Sequence, residues 1–170
     1  IAAKIDARGT TQHLMANGNI GHIMFNKYNF RNIKLDGSYN KGLINGLASI
    51  ADPNIKLQVA GKYNIKRKLY DATLNLEHLQ PAVLGVKMAD KEYTLNDIKV
   101  SAKNEGADSY LDLEAPFADL HVKGRYDYAT LVQSMTNMIA SKLPTLPGIG
   151  KISKKVHNDF TIQAQITSTE

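Results

Sequence analysis

The sequence predicts a mainly β protein, a single antiparallel sheet with one apolar face, accompanied by one amphipathic helix. Three observations carry this expectation. Apolar or small residues occupy every second position in run after run, as in Ile55, Leu57, Val59, Gly61, Tyr63 and Ile65, which is the period of a half-buried strand. Turn-forming residues interrupt these runs about every ten residues, a spacing typical of antiparallel sheets. The outline of Tyr28 to Ile65 also returns in Tyr93 to Tyr128. Tyr28, Ile33 and Leu35 match Tyr93, Ile98 and Val100 at an offset of 65, whereas Pro53, Leu57, Val59, Gly61 and Tyr63 match Pro116, Leu120, Val122, Gly124 and Tyr126 at an offset of 63. Both copies are strand patterns, so a sheet built by stacking similar units is expected.

Each element has its own signal. Ile1, Ala3, Ile5 and Ala7 alternate with Ala2, Lys4, Asp6 and Arg8, giving a first strand that ends at Gly9. Leu14, Ala16, Gly18 and Ile20 suggest a second strand, with turns or bulges around Asn17 to Gly21 and a short run from Ile23 to Phe25. Ile33, Leu35, Gly37 and Tyr39 then face one way, before a turn at Asn40, Lys41 and Gly42 and a return over Leu43 to Ile50. Pro53 sets the next turn by fixing its own φ and biasing Asp52 away from helix. The strand from Ile55 to Ile65 is the cleanest in the chain, and Tyr70, Ala72, Leu74, Leu76 and His78 come back beside it after the turn Lys66-Arg67-Lys68. Pro81 to Met88 reads as one helical turn or a linker. Ile98, Val100 and Ala102, then Leu111, Leu113 and Ala115, then Leu120, Val122, Gly124 and Tyr126 continue the pattern, and Phe160, Ile162, Ala164 and Ile166 close it. One segment breaks the period of two. Leu131, Met135, Met138, Ile139 and Leu143 recur at helical spacing, with Thr130 and Gln133 as a capping box, Asp127 as the alternative cap and Pro144 as the stop.

Composition bounds the function. At 170 residues with 43% hydrophobic content, the chain is one domain with enough apolar surface for a core. No apolar run approaches the roughly 20 residues of a bilayer-spanning helix. The chain opens on Ile1 within a strand and ends on a polar strand end, which suggests a piece of a longer repetitive protein. Cys is absent, removing disulfides, thiolate nucleophiles and Cys-based zinc sites. The +5 net charge favours anionic partners, but the basic residues are spread. Lys66-Arg67-Lys68 and the group Lys151, Lys154 and Lys155 read as solvated turns.

Catalytic patterns are not seen. His13, His22, His78, His121 and His157 stand alone, without metal-ligand spacing. Gly148-Ile149-Gly150-Lys151 lacks a Gly at position 145 and a Ser or Thr at position 152, so it is not a phosphate loop. Asp97, Asp108, Asp112, Glu114 and Asp119 fall on outward strand positions. The chain is therefore read as non-enzymatic, with no cofactor and no metal. Nucleic acid is not expected as a partner, because Tyr63 and Tyr126 share the apolar side with Val59 and Val122 rather than interleaving with cations.

What the apolar face is for is then the question. A sheet of about ten strands is roughly 45 to 50 Å wide, whereas a fourteen-residue helix covers about 20 Å. Either the sheet folds over into a packed sandwich, with Ile33, Leu57, Leu74, Val100, Leu120 and Ile162 as ordinary core, or it curls into a trough whose floor holds acyl chains. Met135 and Met138 would pack in the core or adapt to variable chains.

The segments FRNIKLDGSY (30–39) and DPNIKLQVAGKYNI (52–65), followed by VKGRYDYATLVQSM and KLPTLPG, resemble the translocation-and-assembly-module (TamB) family of the AsmA-like superfamily in its Bacteroidetes form. The resemblance runs from about Ala16 to Gly148, and its motifs encode strand and turn rather than a site. It implies a section of a large envelope protein, tethered to the inner membrane through a segment outside this chain and crossing the periplasm as a taco-like β-trough. Phospholipid acyl chains and an outer-membrane barrel protein of the Omp85 type are the partners it implies. Lipid transport to the outer membrane and support of outer-membrane protein assembly are the corresponding functions. The expected groove residues are Ile33, Leu35, Ile55, Leu57, Val59, Leu74, Leu76, Ile98, Val100, Leu111, Leu113, Leu120, Val122, Met135, Met138, Phe160, Ile162 and Ile166. A second expectation is a β-scaffold that binds outer-membrane strands by edge augmentation.

Overall fold

The computed structural model describes residues 2–25, 27–85, 93–142 and 158–167. Ile1, the end of the Pro81–Met88 segment, Leu143, Pro144, the glycines at 148 and 150, Lys151, Lys154, Lys155 and His157 lie outside the described residues. Ten strands follow one another: β1 (Ala2–Gly9), β2 (His13–Phe25), β3 (Tyr28–Asn40), β4 (Leu43–Asp52), β5 (Ile55–Asn64), β6 (Leu69–Leu79), β7 (Leu95–Glu105), β8 (Asp108–Ala115), β9 (Ala118–Arg125) and β10 (Asp159–Ile166). They form one antiparallel sheet in sequence order, with β1 and β10 at its edges. The sheet is not closed into a barrel, and no second sheet packs on it among the described residues. Among the described residues Ile5, Leu35 and Ile44 remain 66, 38 and 41% exposed, so the sheet does not fold over them as a sandwich.

Local chemistry explains the meander. At the β3–β4 hairpin Lys41 and Gly42 have φ of 46° and 96°, the left-handed pair that matches strand twist in a two-residue loop. Pro53-Asn54 and Pro116-Phe117 are two-residue turns with proline first, joining Asp52 to Ile55 and Ala115 to Ala118. Pro81–Leu84 forms a single 3-10 turn, one of the two readings the sequence left open.

The sequence repeat has a backbone counterpart. Asn32 and Asp97, 65 residues apart, are both left-handed, with φ of 53° and 55°. The change of offset to 63 arises because β8 is two residues shorter than β4. Leu57–Ile50 and Leu120–Leu113 are equivalent hairpin pairs, but Ile50 pairs onward with Ile33 whereas Leu113 pairs with Val100, the counterpart of Leu35. Side chains keep their face but shift by one row along the strands.

Two expectations need correction. The residues from Leu14 to Phe25 make one strand rather than two, and Asn17-Gly18 is not a turn: Gly18 is paired with Ile5 and Leu35. Its absent side chain serves the sheet face instead. The irregularity lies at Gly21, where the β1–β2 register shifts. The helix α1 (Tyr128–Lys142) starts two residues earlier than expected. Thr130 sits in its first turn and donates both N–H and hydroxyl to the Asp127 carbonyl, at 3.0 and 3.2 Å. Asp127 thus takes the cap position, and Gln133 bonds Asn137 at 2.9 Å instead of closing a capping box.

The most buried side chains sit where α1 lies on the sheet. Val122 on β9 is 0% exposed and Leu131 on α1 is 2% exposed.

Candidate lipid-binding face

Strand register places the apolar residues in rows that run across the sheet. One row takes a residue from every strand: Ile5, Gly18, Leu35, Ala48, Val59, Leu74, Val100, Leu113, Leu120 and Ala164. At the spacing of paired strands it is about 43 Å long. A parallel row holds Ala3, Ile20, Ile33, Ile50, Leu57, Leu76 and Ile98. A third begins small, with Ala7, Ala16, Gly37, Gly46, Gly61, Ala72 and Ala102, and ends large, with Leu111, Val122 and Ile162. All the sheet positions expected to floor a groove lie on this one face, including Ile55, Phe160 and Ile166. The reverse face is polar, with rows such as Lys34, Ser49, Gln58, Asn75, Lys99, Glu114 and Asp119.

Helix α1 packs its first turn against one part of the face. Its Tyr128 ring packs edge-on against Tyr70 and Tyr126 at 5.3 and 5.2 Å, and its hydroxyl donates to the Tyr110 carbonyl at 2.7 Å. Tyr126 in turn meets Phe160 at 6.1 Å. Burial, followed by hydrogen bonding to the neighbouring tyrosines, pushes the Tyr128 phenol far above its ordinary range. Asn158, leading into β10, donates to Thr130 and Ser134 of α1 at 3.1 and 2.7 Å. Leu111 and Ile162 flank the buried Val122 in its row. On the helix Met135 is half-buried and Met138 exposed.

The β1–β5 half is different. Here the small residues leave a shallow concavity of about 480 Å³, with Ile5, Ala16, Gly18, Leu35, Ala48 and Val59 in its wall. A Cβ added to Gly46 would meet nothing within 4 Å, so the glycines deepen this floor rather than allow a tight backbone approach. Leu14, Ile44 and Tyr63, towards the β3–β4 hairpin, are 43, 41 and 39% exposed. The opposite end is sealed. Asp52 is buried, accepts from the Arg31 and Asn54 N–H groups at 3.1 and 3.0 Å, and accepts from the Tyr28 hydroxyl. Phe30, against Tyr28, and Ile55 are buried beside this knot. Burial and the bond to Asp52 raise the Tyr28 phenol above its ordinary value.

Not every expected groove residue is accessible. Val122, Ile55 and Leu76 are buried, whereas Ile166 is 84% exposed at the edge of β10. Asp52 was legible only as a turn residue, because its partners on β3, the Tyr28 hydroxyl and the Arg31 N–H, lie 24 and 21 positions away.

Register also gathers residues that stand apart in sequence. On the polar face Ser101 donates to Asp112 at 3.3 Å, and Asp112 bonds His121 Nδ1. The carboxylate sits between serine and imidazole, so the histidine has no hydroxyl to deprotonate and the cluster is not a nucleophilic triad. Among the described residues no group of three or more metal-ligating side chains forms, and no helix is long and apolar enough to cross a membrane. Comparison of the chain with protein-family models, curated proteins and solved structures gave no match.

Proposed function

We propose that the chain is a non-enzymatic module that carries phospholipid acyl chains along its apolar sheet face. It would form one section of a periplasmic conduit that supplies lipid to the outer membrane and supports outer-membrane protein assembly. The supporting observation is the unbroken apolar row from Ile5 to Ala164, left uncovered over β1–β5 among the described residues. An acyl chain spans about 15 Å, half of a bilayer's hydrocarbon core, so the uncovered stretch from β1 to β5, about 19 Å across, takes one chain laid lengthwise. The row contains no polar side chain that could fix a chain in place. A tail can therefore slide along it without breaking hydrogen bonds, while its head group stays in water. The inner-membrane tether and the outer-membrane barrel partner rest on the family resemblance.

The test is photocrosslinking in cells from Leu35 and Val59 on the floor, with Lys34 and Gln58 on the reverse face as controls. Phospholipid adducts are expected from the floor positions alone. Protein adducts only, or equal lipid capture from both faces, would end this reading.

A second reading rests on the free edges at β1 and β10, to which an extended outer-membrane strand could add by main-chain pairing. Peptide binding abolished by proline in β1 or β10, yet unaffected by Leu35→Asp, would favour it.

A further inference from the structure

The apolar face is graded towards one end, and that gradient points to a head-group site. Beyond the small-residue row lies a row of larger, amphipathic side chains, in which Leu14, Tyr39, Ile44, Tyr63 and Tyr70 are paired in succession. The Tyr39 and Tyr63 hydroxyls have no protein hydrogen bond among the described residues. Beyond this row, in the hairpin turns, come Lys41, Lys66, Arg67 and Lys68, all exposed. None of the four is in an ion pair among the described residues, whereas Lys4, Lys56, Lys103 and Arg125 all have acidic partners.

This rim is built rather than incidental. The Lys41 N–H donates to the Gln12 carbonyl at 2.9 Å, and the Ile65 N–H to the Gly42 carbonyl at 2.8 Å. Asn104 donates its amide to the Lys68 carbonyl at 3.0 Å. Backbone and amide bonds thus tie the hairpin ends of β1 to β7 together and hold the cations in one line. At the other end the face runs into the buried Asp52–Tyr28 knot.

Hydrocarbon floor, tyrosine row and cationic rim follow the order of depth in a bilayer leaflet, where Tyr rings lie at the interface and Lys and Arg reach the head groups. We infer that the rim formed by Lys41, Lys66, Arg67 and Lys68 binds the head group of an anionic phospholipid whose acyl chains lie on the β1–β5 floor. This rests on the acyl-chain reading above and adds the lipid's orientation and charge class. The tyrosine hydroxyls are placed to donate to the ester and phosphate oxygens.

The experiment uses the protein with a photoactivatable residue at Val59, incubated with vesicles of phosphatidylcholine alone or mixed equally with phosphatidylglycerol. Near an anionic surface each cation is worth about a fivefold change in binding. Phosphatidylglycerol capture is therefore expected to exceed phosphatidylcholine capture at least fivefold in mixed vesicles, and to lose that preference at high salt as screening shortens its range. The variant K41Q/K66Q/R67Q/K68Q should still capture lipid but without preference, and the charge-conserving K41R/K66R/K68R should restore it. Capture of both lipids equally by the unmodified protein, or a preference that survives the Gln variant, overturns the head-group site while leaving the apolar floor in place. Flotation with anionic vesicles without selective capture at Val59 overturns it too, because the rim then only adheres to a surface. No capture of either lipid removes the floor and the rim together.

Discussion

At the residue scale, Asp52 and the glycines make opposite demands. Asp52 ties β3 to the β4–β5 turn through the Arg31 and Asn54 N–H groups and the Tyr28 hydroxyl. Alanine there strands these donors in a buried site, and a loss of about 3 kcal/mol is expected in urea unfolding. Gly124 is similarly intolerant, for backbone reasons. Its φ is 156°, and a Cβ would lie 2.2 Å from the Asp159 carbonyl oxygen and 2.5 Å from Phe160 Cα. Gly124→Ala should therefore loosen the β9–β10 pairing, read as faster amide exchange in β10. Gly46 lies on the same face, yet a side chain there meets open space. Gly46→Phe should leave stability within about 1 kcal/mol and lower lipid capture at Val59 severalfold by filling the floor. A change in stability without a change in capture would count against the concavity as the lipid seat. The sequence placed Asp52 at a turn and Gly124 on a strand, but only the structure shows that Gly46 faces open space and Gly124 a backbone.

At the element scale, α1 is the piece whose role the sequence left open. Its apolar spacing was legible, and of the two caps the sequence offered, the alternative, Asp127, is the one taken. Thr130 and Gln133 satisfy the capping-box pattern, yet Asp127 takes the cap because Tyr128 is already held by Tyr70, Tyr126 and the Tyr110 carbonyl. Tertiary packing outweighed a local motif worth about 1 kcal/mol. The same tyrosines make the helix sensitive to alkali. Burial raises the Tyr126 and Tyr128 phenols above their ordinary value of 10.0. A raised pKa in the folded state means that this stabilisation is complete below pH 10 and is lost as pH climbs above it. Urea midpoints should stay level up to about pH 10 and then fall, and Tyr126→Phe/Tyr128→Phe should flatten that fall. An unaltered alkaline decline in the double variant would show that other groups govern it.

At the scale of the whole molecule, the open part and the packed part of the apolar sheet side are one continuous surface. The alternation of Ile, Leu and Val made the face legible in the sequence. The division was not, because Val59 and Val122 occupy matching places in the repeat, whereas register puts them in different rows, beside Ala48 and Leu74 in one case and Leu111 and Ile162 in the other. Val59 floors the open concavity, whereas Val122 is fully buried, with Leu111 and Ile162 beside it in its row. Their behaviour should therefore diverge although their sequence contexts agree. A photoactivatable residue at Val59 should capture phospholipid, and the same residue at Val122 should stay silent. Among the described side chains of α1, Leu131 is the most deeply buried, and Leu131→Asp places a charge in that buried position, which releases α1 from the sheet. If the helix covers a continuous floor, that release turns on capture at Val122 while leaving capture at Val59 intact. If Val122 remains silent with α1 detached, the β8–β10 half is core alone, and lipid occupies only the half bounded by β1 and β5.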